Sequence, residues 1–264
     1  MASQPPSVLP LFYRNLQPIS STLHANYRTR SSEKAPFFAG VHAIPLTIDE
    51  FLMAQRFFPI VFSAGDNSVP LALMGLNEGV NVFVEDDGSL AGPMYVPAYV
   101  RRYPWMLARM DDKAQELSLC FDPSSDLIGD FEEGAALFEG DKPSEQLNAI
   151  LKFCEEFEIA AQRTSAFMKE VVDSGLLIDG EVSIQPDGMD QPMIYRGFQM
   201  VAEDKLRELT GDKLRKMNQN GLLPLLHAHL FSLPLIRDVF QRQMELGKLP
   251  AQSGNVQAPQ PANS

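Results

Sequence analysis

Apolar positions along this chain switch between a spacing of two and a spacing of three to four, and each switch marks a predicted element. The segment PLTIDEFLMAQRFF opens with a helix start: Thr47 stands as N-cap, Glu50 closes a capping box, and Leu46 and Phe51 are placed as a hydrophobic staple. A helix over 48–57 is predicted, ended by Pro59, with PIVFS following as a short buried strand. The runs VPLALMGL and VNVFVEDDGSL read as strands, and Asp87-Gly88 supplies the positive φ of a tight turn. In ELSLCFD, Leu117, Leu119 and Phe121 alternate on one face. LLIDGEVSI carries Asp179-Gly180 between two apolar runs, a second predicted turn, and MIYRGFQMV offers another strand. Hairpins and irregular loops, rather than regular βαβ units, join these runs, which predicts a mainly antiparallel sheet.

The longest helix is predicted from Ser144, after Pro143, to about Ser174, before Gly175. Leu147, Ile150, Cys154, Phe157, Ala161, Thr164, Met168 and Val171 form its inward stripe. Leu151, Phe153, Ile159 and Phe167 widen that stripe beyond a coiled-coil seam, so packing within the domain is expected. The region 202–246 supplies the C-terminal helices, with Asn220-Gly221 ending one of them. The fold class is α+β: a mainly antiparallel sheet packed with one long helix and a C-terminal helical segment. Residues 13–247 are expected to form a single domain, with 1–12 mobile and 248–264 disordered, because both ends are polar and rich in Pro, Gln, Ala and Ser.

Composition narrows the function. A formal charge of −12, from 34 acidic against 22 basic residues, argues against nucleic acid or an anionic membrane as main partner. The N-terminal prolines interrupt the apolar run a secretory leader needs, so no such leader is expected. GLLPLLHAHLFSLPLI, 221–236, falls short of the roughly 20 residues of a membrane span, and its two histidines and two prolines mark it as buried core. Cys120 and Cys154 lie far apart without a CxxC pattern, which fits a reduced cytoplasmic protein whose cysteines are small buried apolar residues.

Several ordered blocks carry a family resemblance. PLTIDEFLMAQRFFPIVFS, ALMGLNEGVNVFVEDDGSL, YVPAYVRRYPWML, YRGFQMVAEDKLREL and NGLLPLLHAHLFSL, with His24 upstream, resemble the SapC family of bacterial surface-layer-related proteins over about residues 20–245. The resemblance implies a cell-envelope, surface-layer or nutrient-uptake context and a protein or peptide partner. It implies no established catalytic activity and no cofactor. The permease label given to some relatives conflicts with the lack of a predicted membrane span.

Candidate chemistry centres on AYVRRYPWML, 98–107, where Arg101 and Arg102 stand among Tyr99, Tyr103 and the only tryptophan, Trp105. Pro97 and Pro104 bracket a predicted helical turn in which Arg102 is spaced to stack on Tyr99. Two guanidinium groups among aromatic rings suit a carboxylate, phosphate or peptide-terminus site. The same residues suit better still a packed anchor whose arginines pair with acidic neighbours, such as those after Met110, because planar Arg is also the preferred partner of structural carboxylates. From Met110 to Glu145, 11 acidic residues against two lysines give a local charge of −9. Within that segment DPSSDLIGDFEEG fails the calcium-loop pattern, because Leu127 occupies the place of the turn glycine. The segment is expected to face Arg14, Arg28 and Arg30.

His24, His42, His227 and His229 are the metal candidates of an alternative reading, a metal-dependent enzyme acting on a peptide or small metabolite. That reading is the weaker one. In a helix, His227 and His229 point about 200° apart, and no nucleophile elbow, P-loop or dinucleotide fingerprint occurs.

Overall fold

The computed structural model describes residues 9–65, 67–110, 116–185 and 192–249, together with the backbone of 256–257. Residues 1–8, most of the tail from Lys248, and 111–115 of the acidic segment lie outside the described residues, and so do the expectations attached to them. The fold is α+β, and its sheets are antiparallel except where Val256–Gln257 pairs parallel with Tyr195 and Arg196. The chain divides into two compact units, one drawing on 9–34 and 99–159, the other on 35–98 and 160–257.

In the first unit, strand Ser118–Phe121 lies between Trp105–Ala108 and Gln17–Pro18. Arg28–Thr29 lies between Ile128–Gly129 and Ala135–Ala136, so part of the acidic segment does flank a predicted basic position. The Arg28 guanidinium donates to the Gly134 carbonyl, and Arg30 sits 3.5 Å from the Phe131 ring centre. Trp105, Leu107, Leu119, Phe121 and Leu137 belong to the core, and Leu147 and Cys154 join them from the long helix. Asp122 is fully buried, with its carboxylate accepting from the Arg14 and Ser124 amides and the Ser124 hydroxyl. Those bonds close the DPSS turn, which explains locally why the segment resembles a cation loop without its spacing.

In the second unit, strands run in the order Leu177–Ile184, Met193–Val201, Ile60–Ser63, Pro70–Leu73, Ala43–Pro45. Ile60–Ser63 and Pro70–Leu73 are buried throughout, as continuous apolar runs should be at the centre of a sheet. The capping box forms: Glu50 Oε2 accepts from the Thr47 amide and hydroxyl, and Leu46 and Phe51 are both buried. Glu50 Oε1 also accepts from the Ala98 amide and the Tyr95 hydroxyl, so this buried carboxylate is met by four donors. The helix it starts is a 3-10 turn, Ile48–Glu50, running into Phe51–Ala54, shorter than the predicted 48–57.

Asp179-Gly180 is not a turn. Leu177–Ile184 is one continuous strand, in which Gly180 pairs with Phe198 and Glu181 with Arg196, leaving Gly197, at φ 92°, as the extra residue of a bulge. Gly180 is required there because a Cβ would stand 2.2 Å from the Phe198 ring. The Asp87-Gly88 turn does form, with Gly88 at φ 85°, but its flanks pair only through the Val84–Leu90 bridge.

The long helix is Glu145–Asp173. The Ser144 hydroxyl accepts from the Leu147 amide at its start, and Gly175, at φ 69°, follows its end. Residues 145–159 belong to the first unit and 160–173 to the second. Four helices follow in the second unit: Glu203–Arg207, Gly211–Gln219, Leu222–Ser232 and Leu235–Glu245. No helix among the described residues is long and apolar enough to cross a membrane.

Candidate functional site

The AYVRRYPWML segment forms helix Ala98–Arg102, a cis Tyr103–Pro104 peptide and strand Trp105–Ala108. One turn of helix points its two arginines in different directions. Arg102 is 5% exposed and Arg101 lies on the surface. The Arg102 guanidinium stands 4.1 Å from the Phe157 ring centre and 5.0 Å from that of Tyr99, the stacking its spacing predicts. Its Nη1 donates to Glu158 Oε1 at 3.2 Å, and its Nε has no partner among the described residues. The acidic partner that Arg102 meets among the described residues is therefore Glu158 of the long helix, and Asp111 and Asp112, which follow Met110, lie outside the described residues.

Burial pushes the Glu158 carboxyl up while the Arg102 charge opposes it. The Tyr99 and Tyr13 phenols are raised by burial, again against Arg102. Burial also raises the Cys154 thiol, to about 12, and the Cys120 thiol, to about 11, which keeps both protonated and unreactive near neutral pH.

The rings interlock around this cation. The Tyr13 hydroxyl donates to the Trp105 carbonyl at 2.6 Å and the Tyr99 hydroxyl to that of Leu11 at 3.3 Å. Tyr103 meets the edges of Phe12 and Tyr13, and Trp105 tilts against Phe121. The structure thus brings Tyr99, Arg102, Tyr103 and Trp105 together as packed groups. Arg101 lies at the surface, its guanidinium 5.2 Å from the Phe153 ring centre. Phe157, expected only as part of the inward stripe, completes the cluster together with Glu158 and Tyr13, which the sequence reading does not single out. The available signal for Glu158 was its place beside the apolar stripe position Phe157.

The histidines are differently placed. His24, in the first unit, accepts from the Ser20 amide through Nδ1 and packs against Tyr27 and Phe121. In the second unit, His227 Nδ1 lies 2.9 Å from the Leu223 carbonyl, and His42 Nε2 is buried with no partner among the described residues. His229 is 0% exposed and uses both ring nitrogens: Nδ1 donates to the Ile60 carbonyl at 2.7 Å, and Nε2 accepts from the Val201 amide at 3.0 Å. Burial lowers its pKa to about 4, which matches the neutral ring those bonds require. Ser232 continues the seam by accepting from the Ile60 amide. Among the described residues, no three His, Cys, Asp or Glu side chains are grouped to hold a metal.

This is an α+β protein whose distinctive cluster is an arginine enclosed by aromatic rings and a helix-borne glutamate, with one arginine of the pair left outward. The chain belongs to the SapC family, whose model, described as SapC, matches residues 19–239. Neither a curated protein nor a solved structure matches the chain.

Proposed function

We propose that this protein is a soluble, cytoplasmic accessory factor that binds a partner protein or peptide in bacterial cell-envelope, surface-layer or nutrient-uptake physiology. Membership of the SapC family supports the context. The observation that carries the binding role is the division of labour on helix Ala98–Arg102. Arg102 is buried against Glu158 and its enclosing rings, and Arg101 carries its guanidinium at the surface beside Phe153. A guanidinium held against a ring suits the carboxylates of an acidic peptide or chain terminus. Tyr99, Tyr103 and Trp105 serve this role by holding the helix that displays Arg101.

Of the four histidines from which the metal-dependent enzyme reading draws, His229 has both nitrogens already bonded to the backbone. The test is recovery of partners from the native host with the full chain, wild type against Arg101→Ala. The expected result is a defined partner captured by the wild type and lost, with the fold unchanged, from the variant. Full retention by a folded variant would remove Arg101 from the surface, and capture of no defined partner by the wild type would overturn the binding role.

A further inference from the structure

Helix Leu222–Ser232 has apolar residues on every face, and a helix of that kind is ordinarily enclosed. Here only one side is. Leu222, Leu226, His229 and Ser232 are buried, and the helix packs there on strands Ile60–Ser63 and Met193–Val201. Pro224, His227 and Phe231, spaced three and four apart, run along the other side. Phe231 is 70% exposed, its ring 5.7 Å from that of His227. Leu52 and Met53 are exposed as well, on helix Phe51–Ala54, which packs against the same helix. The expectation that 221–236 is core therefore holds for one face, and the other leaves large apolar side chains in water. The stretches beside this face are basic, in a chain of formal charge −12. Lys213, Arg215 and Lys216 stand on Gly211–Gln219, which packs against Leu222–Ser232, while Arg56 follows Phe51–Ala54 and Arg237 lies in the first turn of Leu235–Glu245. All five are exposed, and none is in an ion pair among the described residues. On the same stretches the acids are Asp212 and Asp238.

We infer that the outer face of Leu222–Ser232, with Leu52 and Met53, docks an amphipathic helix of a partner protein whose apolar stripe is flanked by acidic side chains. A stripe repeating at three and four residues is matched by the same repeat on a facing helix, and Phe231 is the anchor such a helix would bury. The charge of the occupant follows from the bases beside the face, which attract carboxylates and repel a basic helix. A bilayer of anionic lipid is the poorer occupant, because its extended surface also meets the acidic remainder of the chain, whereas a single helix meets only charges within a screening length of about 8 Å. This assignment rests on the reading that the protein binds a partner protein, and adds the shape and charge of that partner. Its probe is a purified peptide and its variants spare Arg101, so it fails separately from the partner recovery above.

The test is fluorescence anisotropy of the full chain with a labelled synthetic helix of about 18 residues, carrying leucines three and four apart and glutamates on both sides of that stripe. A second peptide has lysines in place of the glutamates. The glutamate peptide is expected to bind about tenfold more tightly than the lysine peptide, and less tightly as salt rises. A Leu52→Ser, Phe231→Ser variant should lose that binding with an unchanged far-UV circular dichroism spectrum. A Lys213→Glu, Arg215→Glu, Lys216→Glu variant, which leaves the apolar face intact, should reverse the preference between the peptides. No binding of the glutamate peptide, equal binding of both, or a preference unmoved by the charge reversal overturns the assignment. Binding to phosphatidylglycerol vesicles that is lost with Phe231 gives the face to a membrane and overturns it. A dimer in sedimentation that Phe231→Ser dissociates gives the face to a second copy and overturns it equally.

Discussion

Arg102 and Arg101 are neighbours with opposite expected sensitivities. Replacing Arg102 by Met strips Glu158 of its counter-charge and empties the space between Tyr99 and Phe157. Glu158 is 32% exposed, so water offsets part of the loss, and a cost of roughly 2–3 kcal/mol is expected. Adding Glu158→Gln should recover part of that cost, and Arg101→Ala should stay within about 0.5 kcal/mol, all read by urea denaturation. His229 sets a pH dependence. Its folded pKa, about 4, lies below the ordinary histidine value of 6.5, so its contribution is full above pH 6.5 and is lost as pH falls toward 4. Burial lowers His24 and His42 in the same direction. The urea midpoint is therefore expected to fall between pH 7 and pH 4.5, and less steeply in a folded His229→Gln variant. A midpoint independent of pH across this window would contradict the buried neutral ring.

At the scale of elements, local signals were legible and distant ones were not. The Thr47–Glu50 box, the Ser144 start and the Gly175 stop depend on residues a few positions apart, and all three form where expected. The inward stripe of the long helix was equally visible, with Leu147, Cys154, Thr164, Met168 and Val171 all buried. Periodicity tells which side chains turn inward but not what they meet, which is why Glu158 was missed as the partner of Arg102. Asp179-Gly180 misled for a related reason. Its local signature is that of a turn, and what makes it a strand is the Phe198 ring lying over Gly180 from the neighbouring strand. Gly180→Ala is accordingly expected to cost about 2–3 kcal/mol through overpacking, measurable as a lowered thermal midpoint. In a Phe198→Leu background, which withdraws the ring, the same substitution should cost less.

At the scale of the whole molecule, we propose that residues 13–247 unfold as one cooperative domain although contacts divide them into two units. The helix Glu145–Asp173 gives residues to both, and a helix interior does not end at Ile159 without losing main-chain bonds on either side. The single tryptophan makes the test direct: Trp105 reports on the first unit, whereas far-UV circular dichroism follows helices of both. Coincident denaturation curves are the expected result, and separated curves would give each unit its own transition. The interleaving of the units also orders events at the ribosome. Residues 9–34 emerge early but belong with 99–159, so they wait while 35–98 is made, a delay on the order of ten seconds at typical translation rates. The first unit can close once Ile159 has cleared the exit tunnel, while 35–98 still lacks the strands and helices beyond residue 160. During that interval the apolar strand Ile60–Ser63 lacks its neighbour Met193–Val201, and nascent chains halted there are the ones on which a chaperone should be found.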